Sequence, residues 1–224
     1  MNKIVVNTKD FVLENEDIIL NDILEEDLIL HITGNVNCGI MNIPSKSNIT
    51  IYIHEGSVLN LDFFLHLRNV INQITVYNEY QSKLNLNYAC TYEGKNKLTI
   101  YNHINSNKTE TNVLVRAVEE NGTLEIKAEG CIYENTNSNV YLEDIKALTN
   151  NNHSIKIEPN LLVKTNSVIA NHNATISNVD TKELFYLESK GISRDKSTEL
   201  IKSGFLKGIL KIEELKTGGE MTNE

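Results

Sequence analysis

The chain is written in short runs where apolar and polar residues alternate, each closed by a turn rich in Asn, Gly, Ser or Lys. From residue 27 the theme recurs as "LILHIT", "ITIYIH", "VLNLDFFLHL", "QITVYN", "KLNLNY", "KLTIYN", "TNVLVRAV", "TLEIKA", "NVYLEDIKAL" and "SIKIEP". Ile49, Ile51 and Ile53 share one parity, as do Leu124 with Ile126 and Ile155 with Ile157. Each run therefore has one apolar and one polar face, and a period of two is that of a β-strand. No long helical pattern separates the runs, which disfavours a doubly wound α/β sheet and leaves a sandwich, a barrel or a solenoid.

Three features favour the solenoid, in which short strands wind into stacked parallel coils. The chain has only two prolines and no tryptophan, and its turns are built on Asn. Asn tolerates left-handed backbone angles, and stacked asparagines bond along a ladder. Similar units recur at a spacing of roughly 20 to 30 residues without exact repetition. Tight hairpin dipeptides are scarce, Asn121-Gly122 being the one good candidate. The competing reading is an antiparallel sandwich.

After residue 179 the pattern turns helical, which divides the chain into a β core over 1–179 and a helical segment over 180–224. Asp180 and Glu183 have capping-box spacing, with Asp180 accepting from the amide three residues on. The first helix is predicted to stop at Gly191, with Ile192 making the following apolar contact. Ser193 caps a second helix, which Gly204-Phe205 is predicted to end. Leu206, Ile209, Leu210 and Leu215 then fall at helical spacing and predict a third, amphipathic helix before Gly218-Gly219. Such helices either plug the open end of the β structure or dock a partner.

Composition removes several functions. A net charge of -9 with no dense basic block argues against nucleic acid as a partner. No apolar run approaches the roughly 20 residues of a membrane span, and the N-terminus does not read as a secretory leader, so a cytoplasmic protein is expected. Cys38, Cys90 and Cys131 form no CxxC pair and suit a reducing compartment as packed thiols. His31, His54, His66, His103 and His153 are scattered without a metal-binding motif. No nucleophilic triad or phosphate-cradling loop is present, so the protein is not expected to be an enzyme. A carbohydrate-binding or carbohydrate-active β-helix is the alternative reading, although Asp62, Glu125 and Glu143 are isolated rather than paired.

The C-terminal third also carries Pro159-Asn160-Leu161-Leu162-Val163, His172-Asn173-Ala174-Thr175, Asp180, the run Leu184 to Ile192 ("LFYLESKGI") and Gly204-Phe205. In order and spacing these resemble the C-terminal region of the SufB and SufD proteins of iron–sulfur cluster assembly. The resemblance is close over about 50 residues, and residues 107–151 are more weakly similar to that family's last β-coils. It implies a right-handed parallel β-helix with a small C-terminal α-helical cap, and a non-enzymatic scaffold. That scaffold would dimerise through the β-helix, with itself or another subunit of the SufB/SufD type, and dock a SufC-type ABC ATPase through its C-terminal helices. Phe185, Tyr186, Gly191, Ile192, Ile201, Gly204 and Phe205 are the implied docking residues. The helical domain that precedes the core in typical members has no counterpart, so a core-only member is expected.

The resemblance further implies His172, which matches the family histidine, as the candidate site and metal ligand. Asn173 follows it, and Cys131, in a late coil, could supply a thiolate to an iron–sulfur cluster. Where the family often has a cysteine this chain has Ala170, and where SufB-type members have Glu it has Asn173, a poorer iron ligand than a carboxylate.

Overall fold

The computed structural model describes residues 1–149 and 154–218. In chain order the strands are β1 (Asn2–Val6), β2 (Asp10–Glu14), β3 (Asp17–Ile23), β4 (Asp27–Thr33), β5 (Asn35–Ile40), β6 (Lys46–Ile53) and β7 (Val58–Arg68). There follow β8 (Ile71–Asn78), β9 (Lys83–Ile104), β10 (Glu110–Ile132), β11 (Asn139–Leu148), β12 (Ile155–Val163) and β13 (Val168–Ser177). The helices are α1 (Thr181–Ser189), α2 (Arg194–Lys207) and α3 (Glu213–Gly218).

Every strand pairing recorded is parallel, and together the pairings make a β-solenoid with two faces. One face stacks β1, β3, β5, β7, the first half of β9, the first half of β10, β11 and β13. The other stacks β2, β4, β6, β8, the second halves of β9 and β10, and β12. Winding thus begins at residue 2, three strands before the alternating pattern becomes legible. Asn121-Gly122 is no hairpin: it is the bend between the halves of β10, beside a register shift. A Cβ on Gly122 would lie 2.2 Å from the Gly94 carbonyl oxygen, so glycine is needed for the two coils to stack there.

Alternation fills the interior with aliphatic columns. Ile18, Cys38, Leu61, Leu86 and Val113 stack coil upon coil, none more than 4% exposed. The expected asparagine ladder lies outside: the amide of Asn112 donates to Asn85 (3.1 Å), Asn85 to Asn60 (2.9 Å), Asn60 to Asn37 (2.8 Å), and Asn37 to the Asp17 carboxylate (2.5 Å). The separations along it grow from 20 residues through 23 and 25 to 27, and the last two coils take 30 (Leu114 to Asp144) and 29 (Asp144 to Asn173). The coils therefore widen towards the C-terminus.

The helical segment lies along the flank of the first face. Leu206, Leu210, Ile212 and Leu215 cover the outward residues Ile19, Phe64, Ala89, Val118 and Leu148. Burial of these side chains, at about 1.5–3 kcal/mol each, holds the segment down. α1 ends as its sequence predicts: Gly191 adopts φ +85°, and the amides of Gly191 and Ile192 reach the carbonyls of Glu188 and Leu187. Three details differ from expectation. Asp180 accepts from the amide of Lys182, two residues on rather than three. α2 passes through Gly204-Phe205 and stops at Gly208. Ile209 and Leu210 are not helical, because the amides of Lys211 and Ile212 bond the Asp62 carboxylate instead of helix carbonyls; α3 is correspondingly short.

Candidate functional site

The last coil breaks the interior pattern. Above Val113 the aliphatic column continues with Glu143 on β11 and His172 on β13. Parity turns both inward, since Val168 and Ala170 on β13 pack against the core. Glu143 is 3% exposed. Its Oε2 accepts a 2.6 Å bond from the Tyr141 hydroxyl, while its buried Oε1 has no partner. The Tyr141 ring has room because residue 130 is glycine; a Cβ there would lie 2.6 Å from Cζ. Burial raises the Glu143 carboxyl above its ordinary range, opposed by the Tyr141 bond and by the charge of His172. The exposed edge of β13 closes this end of the solenoid.

His172 and Asn173 do not act together, because adjacent strand residues face opposite ways. The Asn173 amide donates outward to Asp144 (2.7 Å), which also holds the Arg116 guanidinium (2.5 Å). These partners keep the Asp144 carboxyl below its usual range despite partial burial. Arg116 in turn lies over the Phe205 ring, 5.7 Å from its centre, and so ties the terminal strand to α2.

Cys131 lies apart from His172, on the outward side of the second face and in register with His103 and Leu162. Cys38 and Cys90 are wholly buried, and burial raises both thiols far above their ordinary value. Folding does bring His31 within 3.3 Å of His54, but the nitrogens bond each other, and Glu79 accepts from His54 at 3.2 Å. His66 bonds Thr91 (2.7 Å) and His103 bonds Tyr133 (3.0 Å); His153 is outside the described residues. Among the described residues no group of three His, Cys, Asp or Glu side chains converges as a metal site within one chain. Nor are the three isolated carboxylates brought together: Asp62 is buried under the helical segment, Glu125 pairs with Lys97, and Glu143 faces inward.

The predicted docking residues divide. On α1, Phe185 and Tyr186 are 73% and 60% exposed while Leu184 alone is buried. A shallow groove of about 390 Å³ runs beside Tyr186, lined also by Lys182, Glu183, Leu187 and Ile201. Leu200 adds a further exposed apolar side chain. Gly191 and Ile192 form the helix stop, whereas Gly204 and Phe205 face a second depression between the helices and Leu148. No described helix is long and apolar enough to cross a membrane.

Sequence reasoning singled out His172 without Glu143, which the structure places beside it in register. The available signal was spacing: Glu143 precedes His172 by one coil, the 29-residue offset that also separates Asp144 from Asn173.

Comparison with known proteins adds two matches. Residues 45–205 match the family model described as "SUF system FeS cluster assembly, SufBD core domain". A protein of Pyrococcus horikoshii, described as an iron-sulfur cluster assembly SufBD family protein, is 40% identical over 53 residues, covering 24% of this chain. The matched stretch spans 12% of that relative's length.

Proposed function

Because the chain belongs to the SufBD core-domain family, which points to a role in iron–sulfur cluster assembly, we propose that it is a non-enzymatic scaffold of a SufBCD-type complex in the cytoplasm. A SufC-type ATPase docks on α1 and α2, and a second SufB/SufD-type subunit, either another copy or a relative, pairs along β13. The observation that carries this reading is the surface of α1, where Phe185 and Tyr186 stand exposed and Tyr186 lines an apolar groove. Exposed aromatics of this kind form interface anchors. Among the described residues β13, which carries the inward-facing His172, pairs only with β11, so strand addition at its other edge would enclose the last coil. Any cluster is cargo of the complex.

The test is a titration of the full chain with the SufC-type ATPase of the same source, with the double variant Phe185→Ser/Tyr186→Ser as control. Point variants are preferred to truncation because removing the helical segment would uncover Ile19, Phe64 and Ala89. Saturable binding lost in the double variant supports the reading. Absence of binding by the unmodified chain removes the ATPase as a partner.

A further inference from the structure

We infer that a second copy of this chain docks on the N-terminal end of the solenoid, β1 of each copy adding antiparallel to β2 of the other about a two-fold axis. This end is the one opposite β13, so the joint is separate from the strand addition proposed there. Among the described residues β1 pairs only with β3 and β2 only with β4, which leaves each with an open edge. The core is uncovered with them: Ile4 and Phe11 are only partly buried against it, and the outward Val5 and Val12 are 54% and 63% exposed. Apolar strands with open edges are templates for pairing.

Backbone direction and side-chain parity together select one register. The carbonyls of Val6 and Lys9 accept from Leu24 and Ile29, and the Asn15 amide donates to Thr33. Peptide groups alternate in direction along a strand, so those of Lys3 and Val5, and those of Asp10, Val12 and Glu14, point to the open edges. The side chains of the same residues face outward, whereas Ile4, Val6, Phe11 and Leu13 face the core. Setting Val5 opposite Val12 of the second copy then pairs Lys3 with Glu14, Ile4 with Leu13, and Val6 with Phe11. A shift of two residues either way sets Val5 against Asp10 or Glu14 and loses the match of Lys3 with Glu14. An axis perpendicular to the faces would pair β2 with itself and put Asp10 opposite Glu14 twice, and directly opposed like charges destabilise a sheet. Head-to-tail stacking is opposed by the taper, since β1 and β3 lie 16 residues apart in register and β11 and β13 lie 29. What remains is a closed, two-fold joint whose charges are complementary.

Each copy contributes two five-residue strands, fewer than the roughly 20–30 residues of a standard interface, so a reversible pair is expected. The experiment is sedimentation equilibrium of the full chain from about 10 μM to about 1 mM, where a self-associating curve is expected. Val12→Lys, which puts a charge into the joint without touching the core, is expected to weaken association by about tenfold or more. Lys3→Glu, which opposes Glu14 at both symmetric contacts, should weaken it by about tenfold. Lys3→Glu/Glu14→Lys restores complementary charges and should return association to within about threefold of the parent, a rescue specific to the pairing of β1 with β2. Ile169→Lys, on the outward side of β13, should leave this joint intact. All four positions are exposed, and circular dichroism matching the parent separates lost pairing from lost folding. Absence of self-association up to about 1 mM overturns the inference, as does a charge-swapped double variant as weak as Lys3→Glu. Association that Ile169→Lys abolishes and Val12→Lys leaves unchanged overturns it too, while leaving the proposed pairing along β13 standing.

Discussion

Replacing Asp62 with alanine should release the C-terminal segment from the solenoid. Asp62 faces outward from β7 yet is fully buried, because residues 208–218 cross over it. One carboxylate oxygen accepts from the amides of Lys211 (2.5 Å) and Ile212 (2.7 Å), and the other from Asn87 (2.7 Å). Hydrogen bonds to a charged acceptor contribute roughly 1.5–3 kcal/mol each, against which stands the desolvation that raises this carboxyl's pKa. Removal leaves three donors without an acceptor in an apolar seam, and the segment can recover their hydration only by peeling away. Peeling would expose Leu210, Ile212 and Leu215, at about 1.5–3 kcal/mol apiece. The smaller of the two penalties governs, so a loss of about 3–5 kcal/mol is expected for Asp62→Ala. Asp62→Asn keeps one acceptor and should lose about 1–2 kcal/mol. Urea denaturation gives the total, and hydrogen exchange of the Lys211 and Ile212 amides shows whether the loss is local. A change below about 1 kcal/mol with unaltered protection of those amides would refute the latch.

Four further outcomes are expected. Glu143→Gln should flatten the pH dependence of stability: the raised carboxyl binds its proton more readily folded than unfolded, so its stabilisation is present below the ordinary value of 4.5 and lost as pH rises through the folded value, as urea denaturation at several pH values would show. Gly130→Ala drives a methyl into the Tyr141 ring and should cost about 1–3 kcal/mol on urea denaturation. Asn85→Ala removes two ladder bonds from a half-buried position and should cost about 1–2 kcal/mol in the same assay. Phe185→Ser/Tyr186→Ser should stay within about 0.5 kcal/mol of the parent, since both rings are already in solvent.

The parts of the fold legible in the sequence are those governed by local rules. Alternation identified the strands from residue 27, Asn-rich turns pointed to stacked coils, and Asp180, Gly191 and Ser193 marked helix ends where caps do form. The errors have one physical source, competition from residues distant along the chain. Ile209 and Leu210 fit a helix until Asp62, about 150 residues earlier, claims the amides that follow them. Gly204 reads as a stop, but α2 continues because Phe205 and Leu206 gain contacts on the sheet. The same reasoning explains why the sequence does not pair Glu143 with His172. His172 stands in a recognisable local motif, whereas Glu143 gains a register partner only once the coil length is known, and coil length drifts along this solenoid from 16 residues between Asn2 and Ile18 to 30 between Val113 and Glu143. A fixed repeat would have paired them on paper. In a tapering one, the register that sets a carboxylate beneath an imidazole is fixed by the turns between strands, whose lengths the alternation pattern does not encode.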